Sequence, residues 1–399
     1  MFSSISKDVQ QYALITANYW AFTLTDGALR MLVVLYFHQL GYSPLQIAML
    51  FLFYEFFGVV TNLLGGWLGS LWGLNRTMHL GVGLQLLALS MLLVSDEWLT
   101  IAWVMSAQAL SGIAKDLNKM SAKSAVKLLV PEAQQDVLYR WVAILTGSKN
   151  TLKGVGFFLG GLLLSMHGFT GAVLSLVIAL SVVWLFSILL LKTELGKSKN
   201  KPKFSQLFSK SRSINWLSAA RLFLFAARDI WFVVALPVFL STQFEWSHWQ
   251  VGAFLATWVI AYGVVQGFAP KLTGKANRQH ASYWCLALSA IPACIVVAMS
   301  LDGISFFSSK PLFFLVLGLL VFGFLFAVNS SLHSYLIVRL ARADSVSMDV
   351  GFYYMANAAG RLIGTLLSGY IFQVYGFYAC LLISSLFIVI SAIFVRNID

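Results

Sequence analysis

The stretch Lys153-Gly-Val-Gly156-Phe-Phe-Leu-Gly-Gly161, with Gly168-Phe169 beyond it, returns as Arg361-Leu-Ile-Gly364-Thr-Leu-Leu-Ser-Gly369 with Gly376-Phe377 beyond it. Lys153 pairs with Arg361, Gly156 with Gly364, Gly161 with Gly369, Gly168 with Gly376 and Phe169 with Phe377, all at one offset of 208 residues. Chance rarely supplies five such pairs, so the chain reads as two copies of one unit. Shorter echoes agree. Tyr42-Ser43-Pro44-Leu45-Gln46-Ile47 answers Trp246-Ser247-His248-Trp249-Gln250-Val251, and Gly58-Val59-Val60 answers Gly263-Val264-Val265.

Composition sets the medium. Of 399 residues 59% are hydrophobic and 11% charged, with a mean hydropathy of +0.81. A membrane span takes about 20 apolar residues. Apolar runs mark spans at Tyr12–Leu40, Ser43–Ser70, Thr77–Val94, Leu99–Val126, Val137–Met166 and Phe169–Leu191, then Ile214–Leu240, Ser247–Ala269, Ser282–Leu301, Leu312–Leu340, Met348–Val374 and Phe377–Val395. The only extended polar segment lies near the midpoint. The expected organisation is therefore an N-terminal six-helix half over 1–191, a basic linker over 192–213 and a C-terminal six-helix half over 214–399. Parallel six-span repeats are the plan of major-facilitator transporters, an all-α membrane fold with substrate held at the midplane between halves.

The net charge of +12 would raise nucleic-acid binding in a soluble protein, but its distribution excludes that partner. Lys7, Arg76, Lys127, Lys271, Lys275, Arg278, Arg339, Arg342 and Arg396 fall at alternate span ends, and Lys192, Lys197, Lys199, Lys201, Lys203, Lys210 and Arg212 crowd the linker. Asp96, Glu97, Glu245 and Asp302 occupy the opposite ends, with Lys310 the one clear cation there. The positive-inside rule then places both termini and the linker in the cytoplasm. The run after Met1–Gln11 is too long for a signal-peptide core, so the first span is expected to be retained.

Charges inside the spans carry the functional reading, because an ionisable group in hydrocarbon is costly unless it meets a partner or a wet cavity. Lys115, Lys119 and Lys123 recur every four residues and share one helical face. Lys115 is set deep. Lys123 and Lys127 have a second reading, snorkelling to the cytoplasm. Lys149 and Lys153 lie mid-span; Arg221 and Arg228 share a face, and Arg228 adjoins Asp229 with an internal ion pair as its bland alternative. Asp26 and Arg30 stand four apart and form a self-neutralising pair in one reading. Glu55 has no obvious basic neighbour in the sequence and reads either as a proton carrier or as a permanent counter-ion.

Eight deep cations (Arg30, Lys115, Lys119, Lys149, Lys153, Arg221, Arg228, Arg361) thus face four acids (Asp26, Glu55, Asp116, Asp229), and a multivalent organic anion would balance them. The cations are the candidate substrate-binding residues. Asp26, Glu55 and Asp229 are the candidates for proton coupling. Cys285, Cys294 and Cys380 lack metal-ligand spacing and read as core residues, and Gly154-Val-Gly156 is no dinucleotide fingerprint, since no strand precedes it. No catalytic residue, metal or cofactor is expected. Gly65-Gly66-Trp67-Leu68-Gly69 reads as helix packing, and Asn329 with His333 as a structural polar spot.

Asn18-Tyr-Trp-Ala-Phe-Thr-Leu-Thr-Asp26-Gly-Ala-Leu-Arg30, Ser111-Gly-Ile-Ala-Lys-Asp-Leu-Asn-Lys-Met-Ser-Ala-Lys-Ser-Ala-Val-Lys127, Leu145-Thr-Gly-Ser-Lys-Asn-Thr-Leu-Lys-Gly-Val-Gly156 and Lys201-Pro-Lys-Phe-Ser-Gln-Leu-Phe-Ser-Lys-Ser-Arg212 resemble the organoarsenical efflux permease (ArsJ) family of the major facilitator superfamily, over nearly the whole chain. The resemblance implies a bacterial inner-membrane exporter of 1-arseno-3-phosphoglycerate, acting as a monomer and conferring arsenate resistance. It also implies a functional link to the glyceraldehyde-3-phosphate dehydrogenase that makes this ester from arsenate. Another organophosphate or organic anion is the alternative cargo; a membrane receptor or enzyme is the alternative class. One departure stands out: Ser70 and Leu71 follow Gly66-x-Leu68-Gly69 where many superfamily members have Asp and Arg, which puts the charge relay of that loop in doubt.

Overall fold

In the computed structural model, which describes residues 7–42, 50–191, 195–197, 207, 211–274, 277–300 and 310–398, regular structure is helical. The helices are α1 (Lys7–Gln39), α2 (Leu52–Trp72), α3 (Leu74–Met91), α4 (Ile101–Leu129), α5 (Gln135–Leu190), α6 (Arg212–Phe232), α7 (Ala235–Gln243), α8 (His248–Thr273), α9 (Arg278–Ser300), α10 (Pro311–Leu340) and α11 (Val346–Arg396). Among the described residues, seven helical segments are long and apolar enough to cross a membrane. Side chains such as Leu162, Ile178, Leu189, Leu366 and Leu386 are more than half exposed, as a surface solvated by lipid requires. The 43–47 motif, most of the linker, Lys275 and Asp302 lie outside the described residues.

Helices α5 and α11, of 56 and 51 residues, are each two spans folded back at one glycine. Gly168 has φ 67°, ψ −178° and Gly376 has φ 80°, ψ −177°, a region open essentially to glycine alone. These are the residues matched across the repeat. The residue after each turn also does the same work in both halves: Phe169 stacks on Tyr36 at 4.1 Å and Phe377 on Phe239 at 4.3 Å.

The seventh span differs from its expected single run. Pro237 lacks an amide proton and its ring would strike the carbonyl four residues back, so the helix breaks at Val233–Val234 into α6 and α7. The Ala235 amide exposed by the break donates to Ser368 Oγ at 3.1 Å. At α8, the Trp246–Val251 motif is a capping box, with the Gln250 amide donating to Ser247 Oγ and the Ser247 amide to Gln250 Oε1.

Three apolar cores show how the halves meet. One lies within the first six spans, around Leu32, Val82 and Val173; one lies within the last six, around Trp231, Leu288 and Phe322. The third draws on both, joining Met120, Val142 and Leu145 to Leu217, Leu332 and Val350 at the linker side. There the backbones nearly touch. A β-carbon on Gly66 would fall 2.5 Å from the Ser347 carbonyl oxygen, and one on Gly147 equally close to that of Gly263. Lys127 Nζ donates to the Arg339 carbonyl at 3.1 Å and Tyr335 Oη to Gln135 Oε1 at 3.2 Å, while the Tyr139 and Thr273 hydroxyls share a hydrogen bond at 3.0 Å. Arg342 Nη2 pairs with buried Asp349 at 2.9 Å, and this hydrogen-bonded contact raises the guanidinium pKa further above its usual value. The halves are thus sealed on the linker side.

Replacing Gly168 or Gly376 by Ala should lower thermal stability by about 1–3 kcal/mol each, the usual cost of forcing a side chain into that backbone region. Gly369→Ala, where a β-carbon meets open space, serves as the neutral control. Melting curves of the purified variants check both, and equal behaviour of all three would contradict the assigned turns.

Candidate functional site

Helical rise sets the deep charges at two levels. Arg361, Glu55 and Arg228 stand about 22–25 Å from the linker-side ends of their helices, and Lys123 about 10 Å from its own. At the upper level charges alternate. Glu55 Oε1 receives Arg30 Nη2 at 3.3 Å from within the first half and Arg361 Nη2 at 3.0 Å from the second. Arg361 Nε then reaches Asp229 Oδ2 at 3.2 Å, and Asp229 Oδ1 accepts Arg228 Nε at 2.6 Å. The result is a ladder, Arg30–Glu55–Arg361–Asp229–Arg228, that crosses from one half to the other.

Two sequence expectations change here. Glu55 does have basic neighbours, supplied by α1 and α11 rather than by nearby sequence. Asp26 and Arg30 do not close a pair on themselves: Asp26 accepts the Tyr54 hydroxyl at 2.8 and 3.0 Å, and Arg30 turns to Glu55. Tyr54 is the organiser that sequence reasoning passed over. Its ring carries Lys115 Nζ at 3.8 Å and the Arg30 guanidinium at 4.6 Å on its face. The adjacency of an aromatic to Glu55 was the available signal.

On α4, Asp116 gathers Lys119 at 2.5 Å and Lys115 at 3.7 Å. Lys123 is 4% exposed and donates to Thr146 Oγ1 at 2.8 Å, so it is buried rather than snorkelling; Lys127, at the helix end, does reach the linker-side surface. Arg221 is 3% exposed and donates to Asn357 Oδ1 and to the Ser330 carbonyl. The Arg228–Asp229 contact is the internal ion pair that their adjacency allows, extended by Arg361.

Lys149 and Lys153 stand apart. Both are half-buried, and among the described residues neither has a hydrogen bond or ion pair. Lys149 feels the positive charges of Lys119, Lys123, Arg361 and Lys115, and Lys153 those of Arg30, Lys149 and Lys115 against Asp26 and Glu55. With the buried Lys123 and Arg221 set aside, seven cations meet four carboxylates here. Arg30, Glu55 and Arg361 keep 25–30% of their side-chain surface accessible, so the ladder borders open space rather than packed core. Such a site can bind a multivalent anion electrostatically, and its guanidinium groups can grip carboxylate or phosphate in two-pronged fashion. Among the described residues no cluster of His, Cys, Asp and Glu is arranged to hold a metal ion.

The sequence profile of the Major Facilitator Superfamily matches residues 15–307 and 217–398. No curated protein matches in sequence. Among solved structures, the human organic anion transporter MFSD10 (TETRAN) is similar with a TM-score of 0.79 at 16% identity, over 98% of this chain and 100% of that one. The E. coli fucose:proton symporter FucP follows at 0.76 and 14%, over 99% and 100%. A bacterial homologue of the iron transporter ferroportin in an outward-facing state gives 0.73 and 13%, over 96% and 98%. At these identities the likeness speaks for the fold.

Double-mutant cycles on Glu55→Gln and Arg361→Gln test the ladder. Their stability effects should be non-additive by about 0.5–3 kcal/mol, read from melts of both single variants and the double variant. Simple additivity would mean the contact between the halves carries no energy.

Proposed function

The chain belongs to the major facilitator superfamily, and from that premise we propose that it exports an organic oxyanion by alternating access, most specifically 1-arseno-3-phosphoglycerate. One observation carries the anion reading: among the described residues Lys149 and Lys153 have no hydrogen bond or ion pair, in a site where cations outnumber carboxylates seven to four. Buried charge needs a counter-charge, and a substrate with carboxylate, phosphate and arsenate groups supplies several. The arsenical itself rests on the sequence resemblance; another organophosphate is the reading that the same cations would serve.

In this mechanism Glu55 is the resident counter-ion, holding Arg30 and Arg361 together while the site is empty. An entering oxyanion takes over the guanidinium groups and recruits Lys149 and Lys153, and the halves then rock about it. Proton coupling falls to Asp26. Its hydrogen-bond partner is a neutral hydroxyl, whereas Glu55 and Asp229 already serve arginines. The protein acts as a monomer in the bacterial inner membrane, beside the dehydrogenase that makes its cargo.

Everted vesicles should accumulate arsenic when given the dehydrogenase, glyceraldehyde 3-phosphate, NAD and arsenate, and not with arsenate or arsenite alone. Lys153→Met or Lys149→Met should lower that uptake about 10-fold or more, in line with removing a desolvated charge partner. Replacing Cys285, Cys294 and Cys380 together by Ser should leave uptake near wild type, because none belongs to the site. Arsenite uptake by the permease alone would overturn the oxyanion reading. Asp26→Asn should abolish the response to an imposed pH gradient while preserving exchange of substrate for substrate, and a normal response would move the proton carrier elsewhere.

A further inference from the structure

Below the ladder, within the core that joins the halves, two cations are buried with no ion pair to an acid among the described residues. Lys123 and Arg221 are each under 5% exposed, and among the described residues their hydrogen-bond partners are neutral: Thr146 for one, Asn357 and the Ser330 carbonyl for the other. The two charges repel each other. Aromatic faces give partial relief, Tyr354 lying 5.0 Å from Lys123 Nζ and Tyr353 5.3 Å from the Arg221 guanidinium, the two rings 5.0 Å apart. Relief of that kind does not replace a counter-ion, and an uncompensated buried cation is among the most costly features a fold can carry.

Hydroxyl groups are concentrated around the same place. Those of Ser330, Ser334, Tyr353 and Tyr354 are buried there, and each can both donate and accept. Two cations and several buried hydroxyl donors are the chemistry of a phosphate or carboxylate site. Lys123 lies about 10 Å and Arg221 about 14 Å from the linker-side ends of their helices, on the path between that surface and the ladder. Met120, Leu217, Leu332 and Val350 belong to the apolar core that joins the halves on that side.

We propose that Lys123 and Arg221, one from each half, form a second anion station that captures the anionic head of the substrate on the linker side before it passes to the ladder. This rests on the oxyanion-transport reading above. Separating the halves on that side exposes the station, and closing them strips it of its anion and moves the cargo upward. The station is therefore used from one face of the membrane only, whereas the ladder serves both.

Counterflow of 3-phosphoglycerate, a probe with one carboxylate and one phosphate, is to be measured in everted and right-side-out vesicles carrying the full chain. Lys123→Met and Arg221→Gln should raise KM about 10-fold or more at the linker-side face while changing it less than about 2-fold at the opposite face. Lys123→Arg should restore the wild-type value, and Lys153→Met should raise KM at both faces. Melting temperature and monodispersity establish folding; should Arg221→Gln fail to fold, Lys123→Met decides. An unchanged linker-side KM in Lys123→Met, or an equal rise at both faces, overturns the station and leaves oxyanion transport standing. Absence of counterflow by the wild-type protein overturns the transport reading and the station with it.

Discussion

A carboxylate held by two guanidinium groups, Glu55 between Arg30 and Arg361, is the contact on which the arrangement of the halves turns. Above it the two halves have separate apolar cores; below it they share one. The ladder therefore marks the boundary between the sealed and the parted portions of the interface. Apolar contact cannot discriminate a loaded from an empty transporter, because it does not respond to charge. A carboxylate between two guanidinium groups does respond, and in the proposed function a substrate oxyanion replaces it, which would link occupancy of the site to the fit between the halves.

The two copies of the repeat have diverged in a way that bears on function. Asp26 and Asp229 occupy corresponding places, 203 residues apart, on the same register that matches Tyr36 with Phe239. In the second copy the aspartate is closed by arginines, Arg361 and Arg228. In the first, Asp26 takes a tyrosine hydroxyl, and Lys153, the counterpart of Arg361, has no hydrogen bond or ion pair among the described residues. One half is electrostatically complete and the other is not, so the second half is suited to be the scaffold and the first to be the responsive side.

The fold was legible from sequence because its determinants are local or periodic: apolar runs of span length, one polar linker, and five residue pairs at one offset. Gly168 and Gly376 even marked the two hairpin turns. The break before α7 was missed although Pro237 announces it, since an apolar run conceals a break that leaves hydropathy unchanged. For the site, the identity of the deep cations was readable but their pairing was not. Glu55 meets Arg361 across 306 positions, and Tyr54, Asn357 and Thr146 gain their roles only from helices brought alongside. Local spacing suggested Asp26 with Arg30; three-dimensional competition from Tyr54 and Glu55 redistributed both.

The stacked pairs at the outer turns have a consequence for how movement is to be observed. Phe169 on Tyr36 and Phe377 on Phe239 lock the fifth-to-sixth and eleventh-to-twelfth turns to the ends of the first and seventh spans, and the Tyr36 hydroxyl is further tethered to Asp96 at 2.8 Å. Each of these rims is thus cross-braced within its own half. Spectroscopic labels placed on the two turns, one per half, would travel as rigid markers. The distance between them would report the angle of the rocking motion, undistorted by local rearrangement of the loops that carry them.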